Sequence, residues 1–149
     1  MDPIEEEILS YCNNEFEING NFQFNYYDIL RNVSRDVPNE PGIYLVFAHK
    51  NNNERLVYIG EAGTMLKTGQ FKRQKLLGRL NNRASNGESR QQYFRNQMIK
   101  YGLDYLTFYW FVTYCENNKL LPAFIEAKLL QMYFELSNYQ KLPEWNEKF

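Results

Sequence analysis

The sequence predicts an α+β domain: a small, mainly antiparallel three-stranded sheet flanked by helices in the order β-β-α-β-α, with an N-terminal helical extension. Three observations carry this. Two short apolar runs, Pro41 to Phe47 and Leu56 to Ile59, flank a polar stretch containing Asn51-Asn52-Asn53, as in a hairpin. A third run, Tyr105 to Tyr114, is the densest in aromatic and β-branched residues. Apolar residues at helical spacing occupy the stretches between and after these runs. With 149 residues, the chain has the length of one domain with a real core.

The elements follow in order. Residues 1–40 read as an acidic, partly helical extension, for instance Tyr26 to Val33. Pro38 and Pro41 bias the residues before them out of helix and mark entry to the sheet. The hairpin spans 42–60. Folding it about Asn51 sets Tyr44 opposite Tyr58, so that both phenols share a face. Glu61 to Gln70, with Gly63 and Gly69, reads as a loop. A basic helix is expected from about Phe71 to Arg83. Ser85 to Ser89 is a turn and N-cap region before a helix from about Arg90 to Tyr101, with Gly102 as its C-cap. After the third strand, Glu116-Asn117-Asn118 turns the chain, and Pro122 opens a helix that runs to about Leu136. Lys141 to Asn146 is extended.

Composition narrows the function. No apolar run approaches the roughly 20 residues needed to span a bilayer, and the acidic start lacks a signal peptide's basic and apolar regions. Cys12 and Cys115 are the only cysteines and form no Cys-x-x-Cys, which argues against a disulfide scaffold and a structural zinc site. A cytoplasmic protein is the expectation. His49 is the only histidine, which removes Ser-His-Asp triads and multi-His zinc hydrolases unless His49 alone served. It falls in the hairpin turn and reads as solvated. The net charge is −1, but residues 1–40 carry −7 and residues 67–100 carry +8. A local field of that kind matters more to a phosphate backbone than the total does.

Two charged residues stand out. On a helix, Glu126 has Pro122, Ala123, Leu129 and Leu130 as its neighbours three and four positions away, while Lys128, Gln131 and Glu135 form a separate polar stripe. A carboxylate on the apolar side needs a partner, either a base such as Arg79 or a metal ion. Arg79 lies beside inward-facing Leu76, Leu77 and Leu80, in a basic stripe with Lys72, Lys75 and Arg83. Such a stripe is a solvated face or a phosphate-binding one.

Gly42-Ile43-Tyr44 and Tyr58-Ile59-Gly60, with Arg79, Glu126 and Asn146 after them, resemble the ordered signature of the GIY-YIG nuclease superfamily. The resemblance covers about residues 41 to 146, which makes 41–149 a GIY-YIG-like nuclease domain. Residues 61–78 look like the insertion that precedes the Arg helix in the restriction-enzyme-like branch. Many members carry a His four residues after the Arg, where this chain has Arg83. That leaves the tyrosines as candidates for acting on the water.

The resemblance implies metal-dependent hydrolysis of DNA phosphodiesters. Glu126 would hold one divalent ion, Mg²⁺ or Mn²⁺. Arg79 would stabilise the scissile phosphate, and Tyr44 or Tyr58 would orient or deprotonate the water. Asn146, within Pro143-Glu144-Trp145-Asn146, would hold the site through its amide, with Asn138 as its rival. Lys72, Lys75 and Arg83 would bind DNA. One site cuts one strand per encounter, so a double-strand cutter would pair as a homodimer. The alternative is a catalytically inactive module of the same fold that binds DNA or a protein.

Overall fold

The computed structural model describes residues 1–82, 89–138 and 140–149. The first helix, α1 (Pro3–Glu15), is capped by Asp2, whose side chain accepts from the Ile4 amide. Strand β1 (Asn19–Phe24) and a single helical turn, α2 (Leu30–Val33), lead to the hairpin of β2 (Gly42–Lys50) and β3 (Asn53–Ala62). Then come α3 (Leu76–Leu80), α4 (Arg90–Tyr101) and β4 (Tyr105–Val112). A small ribbon, β5 (Tyr114–Cys115) with β6 (Asn118–Lys119), precedes α5 (Pro122–Leu136).

The architecture is α+β, but the main sheet has four antiparallel strands in the order β1-β4-β2-β3, not three. The additional strand is β1, from the segment expected to be partly helical. It pairs along β4 from Asn19↔Phe111 to Phe24↔Leu106. Helices cover both faces. On one, Ile8 and Cys12 of α1 and Ile125, Leu129 and Leu130 of α5 pack against Ile43, Leu45, Leu56 and Ile59. On the other, Leu76 and Leu80 of α3, Phe94 and Met98 of α4, and Trp145 pack against Tyr44, Val46, Val57 and Phe108. The central strand β2 is therefore buried on both sides from Gly42 to Ala48, which explains its nearly continuous apolar run.

The hairpin register differs from the expected one. Asn51 and Asn52 form a two-residue turn with φ of 51° and 64°, the left-handed conformation that tight hairpins favour and Asn tolerates. Pairs run Lys50↔Asn53 to Phe47↔Leu56, and then Val46 pairs with Tyr58. Val57 is the extra residue of a β-bulge. Tyr44 therefore lies opposite Gly60 and Val46 opposite Tyr58, with the two tyrosines diagonal on one face. Their ring centroids are 5.7 Å apart.

Both motif glycines make room for this packing. A Cβ on Gly60 would sit 2.6 Å from the rings of both Tyr44 and Tyr58. A Cβ on Gly42 would strike the Phe111 carbonyl oxygen and come within 2.7 Å of Leu76.

Other expectations change as well. The helix expected over Tyr26 to Val33 is only the turn at Leu30–Val33. The basic helix expected over 71–83 is only Leu76–Leu80, so Lys72, Lys75 and Arg79 do not share a helical stripe. Arg83 and the turn at Ser85 to Glu88 lie outside the described residues. The α4 and α5 expectations hold, with Ser89 and Gly102 capping α4. No helix among the described residues is long and apolar enough to cross a membrane.

Gly60→Ala tests the close approach. The added methyl should cost about 1–3 kcal/mol through overpacking against the tyrosine rings. Chemical denaturation should show a lower midpoint for Gly60→Ala than for wild type.

Candidate active site

The two helical layers meet around the end of β3, which is an edge strand. A cleft of about 410 Å³ opens there, lined by Tyr58, Glu61, Arg79, Arg90, Tyr93, Phe94, Glu126 and the C-terminal residues Trp145 to Phe149. Ile59 packs into the α1–α5 layer, so by alternation Glu61 lies on that side of β3, next to Glu126. Tyr58, Arg90 and Tyr93 approach from the α4 side.

Each wall has a local cause. Arg79 is held by α3, a helix too short to stand alone. Asn39 pins its start: its side-chain oxygen accepts from the Lys75 amide at 3.1 Å and the Gly78 amide at 3.2 Å, and its amide donates to the Arg73 carbonyl at 2.9 Å. Leu76 and Leu80 are buried beneath it. Glu126 rides on α5, whose Ile125, Leu129 and Leu130 are locked in the core. Burial first, and then the charge of Glu61, push the Glu126 carboxyl up to about 7, with Arg79 opposing. Among the described residues no carboxylate lies within ion-pair distance of Arg79, so of the two partners considered for Glu126 the Arg79 salt bridge is not formed.

The tyrosines divide. Tyr58 lines the cleft. Tyr44 is 1% exposed and lies behind it. Burial raises the Tyr44 phenol far above its ordinary range, as do the charge and hydroxyl of Tyr58, while Arg90 and Arg79 oppose this.

Asn146 clamps the strand edge. Its side-chain oxygen accepts from the Ile59 amide at 2.9 Å, and its amide donates to the Ile59 carbonyl at 2.9 Å. The Trp145 amide donates to the carbonyl of the bulge residue Val57 at 2.8 Å. Asn138 is exposed, and these bonds belong to Asn146. The C-terminal segment thus satisfies part of an otherwise open edge and forms a wall of the cleft.

Tyr58, Arg79, Glu126 and Asn146 therefore share one cleft, with Tyr44 in the layer behind. Lys72 is exposed and Lys75 half-buried; neither lines the cleft. His49 is not in the turn but on β2. It is stacked on Tyr105, with Nε2 2.9 Å from the Thr107 hydroxyl, and burial lowers its pKa. Glu61, Arg90 and Tyr93 are cleft residues that the sequence reading did not single out. Burial raises the Tyr93 phenol, and Tyr58 and Glu147 add to this, while Arg90 opposes.

The donor set bears on a metal ion. Among the described residues no group of three or more His, Cys, Asp or Glu side chains is placed to hold one. Glu61 and Glu126 nevertheless offer two hard carboxylates on one cleft, and their mutual repulsion is felt in the raised Glu126 carboxyl. A divalent cation that takes oxygen ligands and keeps several waters fits this set.

Two outcomes follow from this geometry. Asn146→Ala removes two hydrogen bonds to a strand edge and should cost about 1–3 kcal/mol. Hydrogen exchange at the Ile59 amide should accelerate, and Asn138→Ala should leave it unchanged. The second outcome concerns pH. The folded Glu126 titrates near 7, above its ordinary 4.5, so the folded state binds the proton more tightly than the unfolded chain. Its contribution to stability is full below 4.5 and is lost as pH rises through about 7. Melting temperatures of the metal-free protein across this range should fall less steeply for Glu126→Gln, and Mn²⁺ at alkaline pH should raise the wild-type value selectively.

No family model matches the chain, and neither a curated protein nor a solved structure matches it significantly.

Proposed function

We propose that the chain is a metal-dependent DNA endonuclease of the GIY-YIG kind, hydrolysing phosphodiester bonds at this cleft. The observation that carries the reading is the convergence of Tyr58, Arg79, Glu126 and Asn146, far apart in sequence, on one cleft at the edge of the sheet. Tyr44 lies directly behind Tyr58.

Glu126 holds the divalent ion, Mg²⁺ or Mn²⁺, with Glu61 beside it. When bound, the ion supplies Lewis acidity toward the phosphate and a more acidic water. The remaining work belongs to the chain. Arg79 donates to phosphate oxygens and stabilises the charge that builds on them in the transition state. The Tyr58 hydroxyl orients the attacking water by a hydrogen bond. Asn146 keeps β3, and therefore Tyr58 and Glu61, in position. Lys72 and Lys75, on the loop before α3, meet the duplex backbone outside the cleft.

Plasmid nicking with Mg²⁺ or Mn²⁺ tests the reading. Wild type should nick, and Glu126→Ala should be inactive yet folded, because removing a half-buried charge relieves its desolvation. Tyr58→Phe keeps the ring and loses the hydroxyl, so it should fall roughly 10²-fold in single-turnover rate. Tyr44→Phe should fall less, its hydroxyl lying one layer away. Wild-type protein that binds DNA without nicking it with either metal overturns the proposal in favour of an inactive DNA-binding module.

A further inference from the structure

We propose that Arg90 is a second phosphate-binding guanidinium of this cleft, gripping the phosphate next to the one held by Arg79 on the same strand. This rests on the nucleic-acid reading of the site but not on cleavage.

Arg90 begins α4, and its main chain is fixed on both sides. Its own amide donates to the Asn82 carbonyl at 3.0 Å, and the Ser89 hydroxyl caps the helix at the Gln92 amide. From there Arg90 lines the cleft opposite the end of β3. It is half-buried, and its Nε is closed off from solvent with no hydrogen-bond partner. A guanidinium N–H hidden from water and given no acceptor is an unfilled valence of the fold. Among the described residues no carboxylate lies within ion-pair distance to fill it.

Arg95, further along the same helix, shows what a structural arginine looks like here. Its Nε donates to the Tyr26 carbonyl at 2.8 Å and its Nη2 to the Asp28 carbonyl at 2.7 Å. Those bonds tie the segment after β1 to α4. Arg90 makes no equivalent side-chain bond at Nε. Its charge is instead felt by its neighbours, where it opposes the raised pKa of both Tyr44 and Tyr93.

The ligand class follows from the chemistry. A planar guanidinium fork that lines the cleft takes two oxygens of one phosphate. Arg79, on a different element, already offers another cation to the same cleft. Two guanidiniums from separate elements suit two adjacent phosphates of a strand better than one compact anion. The carboxylates Glu61 and Glu126, on the α5 side, repel an anion placed against them, so phosphates are steered toward the arginines.

The test uses thymidine 3′,5′-bisphosphate, which carries two phosphates on one sugar, and thymidine 5′-monophosphate. Each is titrated calorimetrically into metal-free full-length protein. Wild type should bind the bisphosphate at least tenfold more tightly than the monophosphate. Arg90→Gln should erase most of that difference with an unchanged melting temperature, and Arg90→Lys should retain part of it. In steady-state cleavage, Arg90→Gln should raise KM about tenfold with kcat nearly preserved. A native readout guards against variants that fail to fold: the Arg90 Nε–H resonance of wild type should shift as bisphosphate saturates. Undiminished bisphosphate binding by Arg90→Gln, or an unmoved Nε–H resonance at saturation, overturns the proposal. Binding that behaves as stated in a protein that never cleaves upholds the clamp and sinks only the nuclease reading.

Discussion

The site depends on one extra residue in a strand. The two-residue turn at Asn51 and Asn52 alone would pair Tyr44 with Ile59 and send Tyr58 to the opposite face of the sheet. Val57 corrects this. As the bulge residue it shifts the register by one, so Val57 and Tyr58 both turn toward the α4 layer and Tyr58 meets Tyr44. The bulge also frees a carbonyl from the ladder, and the Trp145 amide takes it. The same irregularity thus aims the tyrosine and anchors the tail that walls the cleft. Past the bulge the alternation resumes, with Ile59 back in the α5 layer and Glu61 beside Glu126.

The charges of the cleft are arranged for something outside the protein. Glu61 and Glu126 on one side and Arg79 and Arg90 on the other share one cleft, yet among the described residues none of them forms an ion pair within bonding distance. Partly buried charges left apart are costly, and ordinary selection for stability would pair them or remove them. Keeping two carboxylates in one cleft instead, where burial first and then the charge of Glu61 push the Glu126 carboxyl up to about 7, is the pattern expected where a cation and an anion complete the site.

What was legible in the sequence was what is stabilised locally. β2, β3, β4, α4 and α5 carry their own periodicity, turns and caps, and each lies close to where the sequence puts it. β1 was missed because Asn19-Gly20-Asn21-Phe22-Gln23-Phe24 has weak strand propensity. Its extended state comes from pairing with β4, a contact made at a distance in sequence. The helix over 71–83 was overestimated for the converse reason. Its apolar spacing is helical, but the chain up to Lys75 is held in a loop by the Asn39 side chain, which nothing local announces. Tyr58, Arg79, Glu126 and Asn146, which the sequence offers as an ordered set, line one cleft. Glu61 and Arg90 were not singled out. One reads as a charge at a strand end and the other as one base among nine in its region. Alternation beyond Tyr58 was the only signal for Glu61.

The two motif tyrosines are alike in sequence and unlike in state, and the difference divides their work. Tyr44 sits where no water reaches, so its phenol stays protonated at any ordinary pH, and its hydroxyl must find an acceptor. The charge and hydroxyl of the neighbouring Tyr58 add to burial in keeping the Tyr44 proton in place, while Arg90 and Arg79 oppose this. Tyr58, by contrast, lines the cleft. Gly60 permits this stack, since any side chain there would displace both rings. The tyrosine on β2 and the tyrosine and glycine on β3 thus form one packed unit, in which one phenol is buried and the other lines the cleft. On the proposed function, the Tyr58 hydroxyl meets the water in the cleft, while Arg79 takes the phosphate.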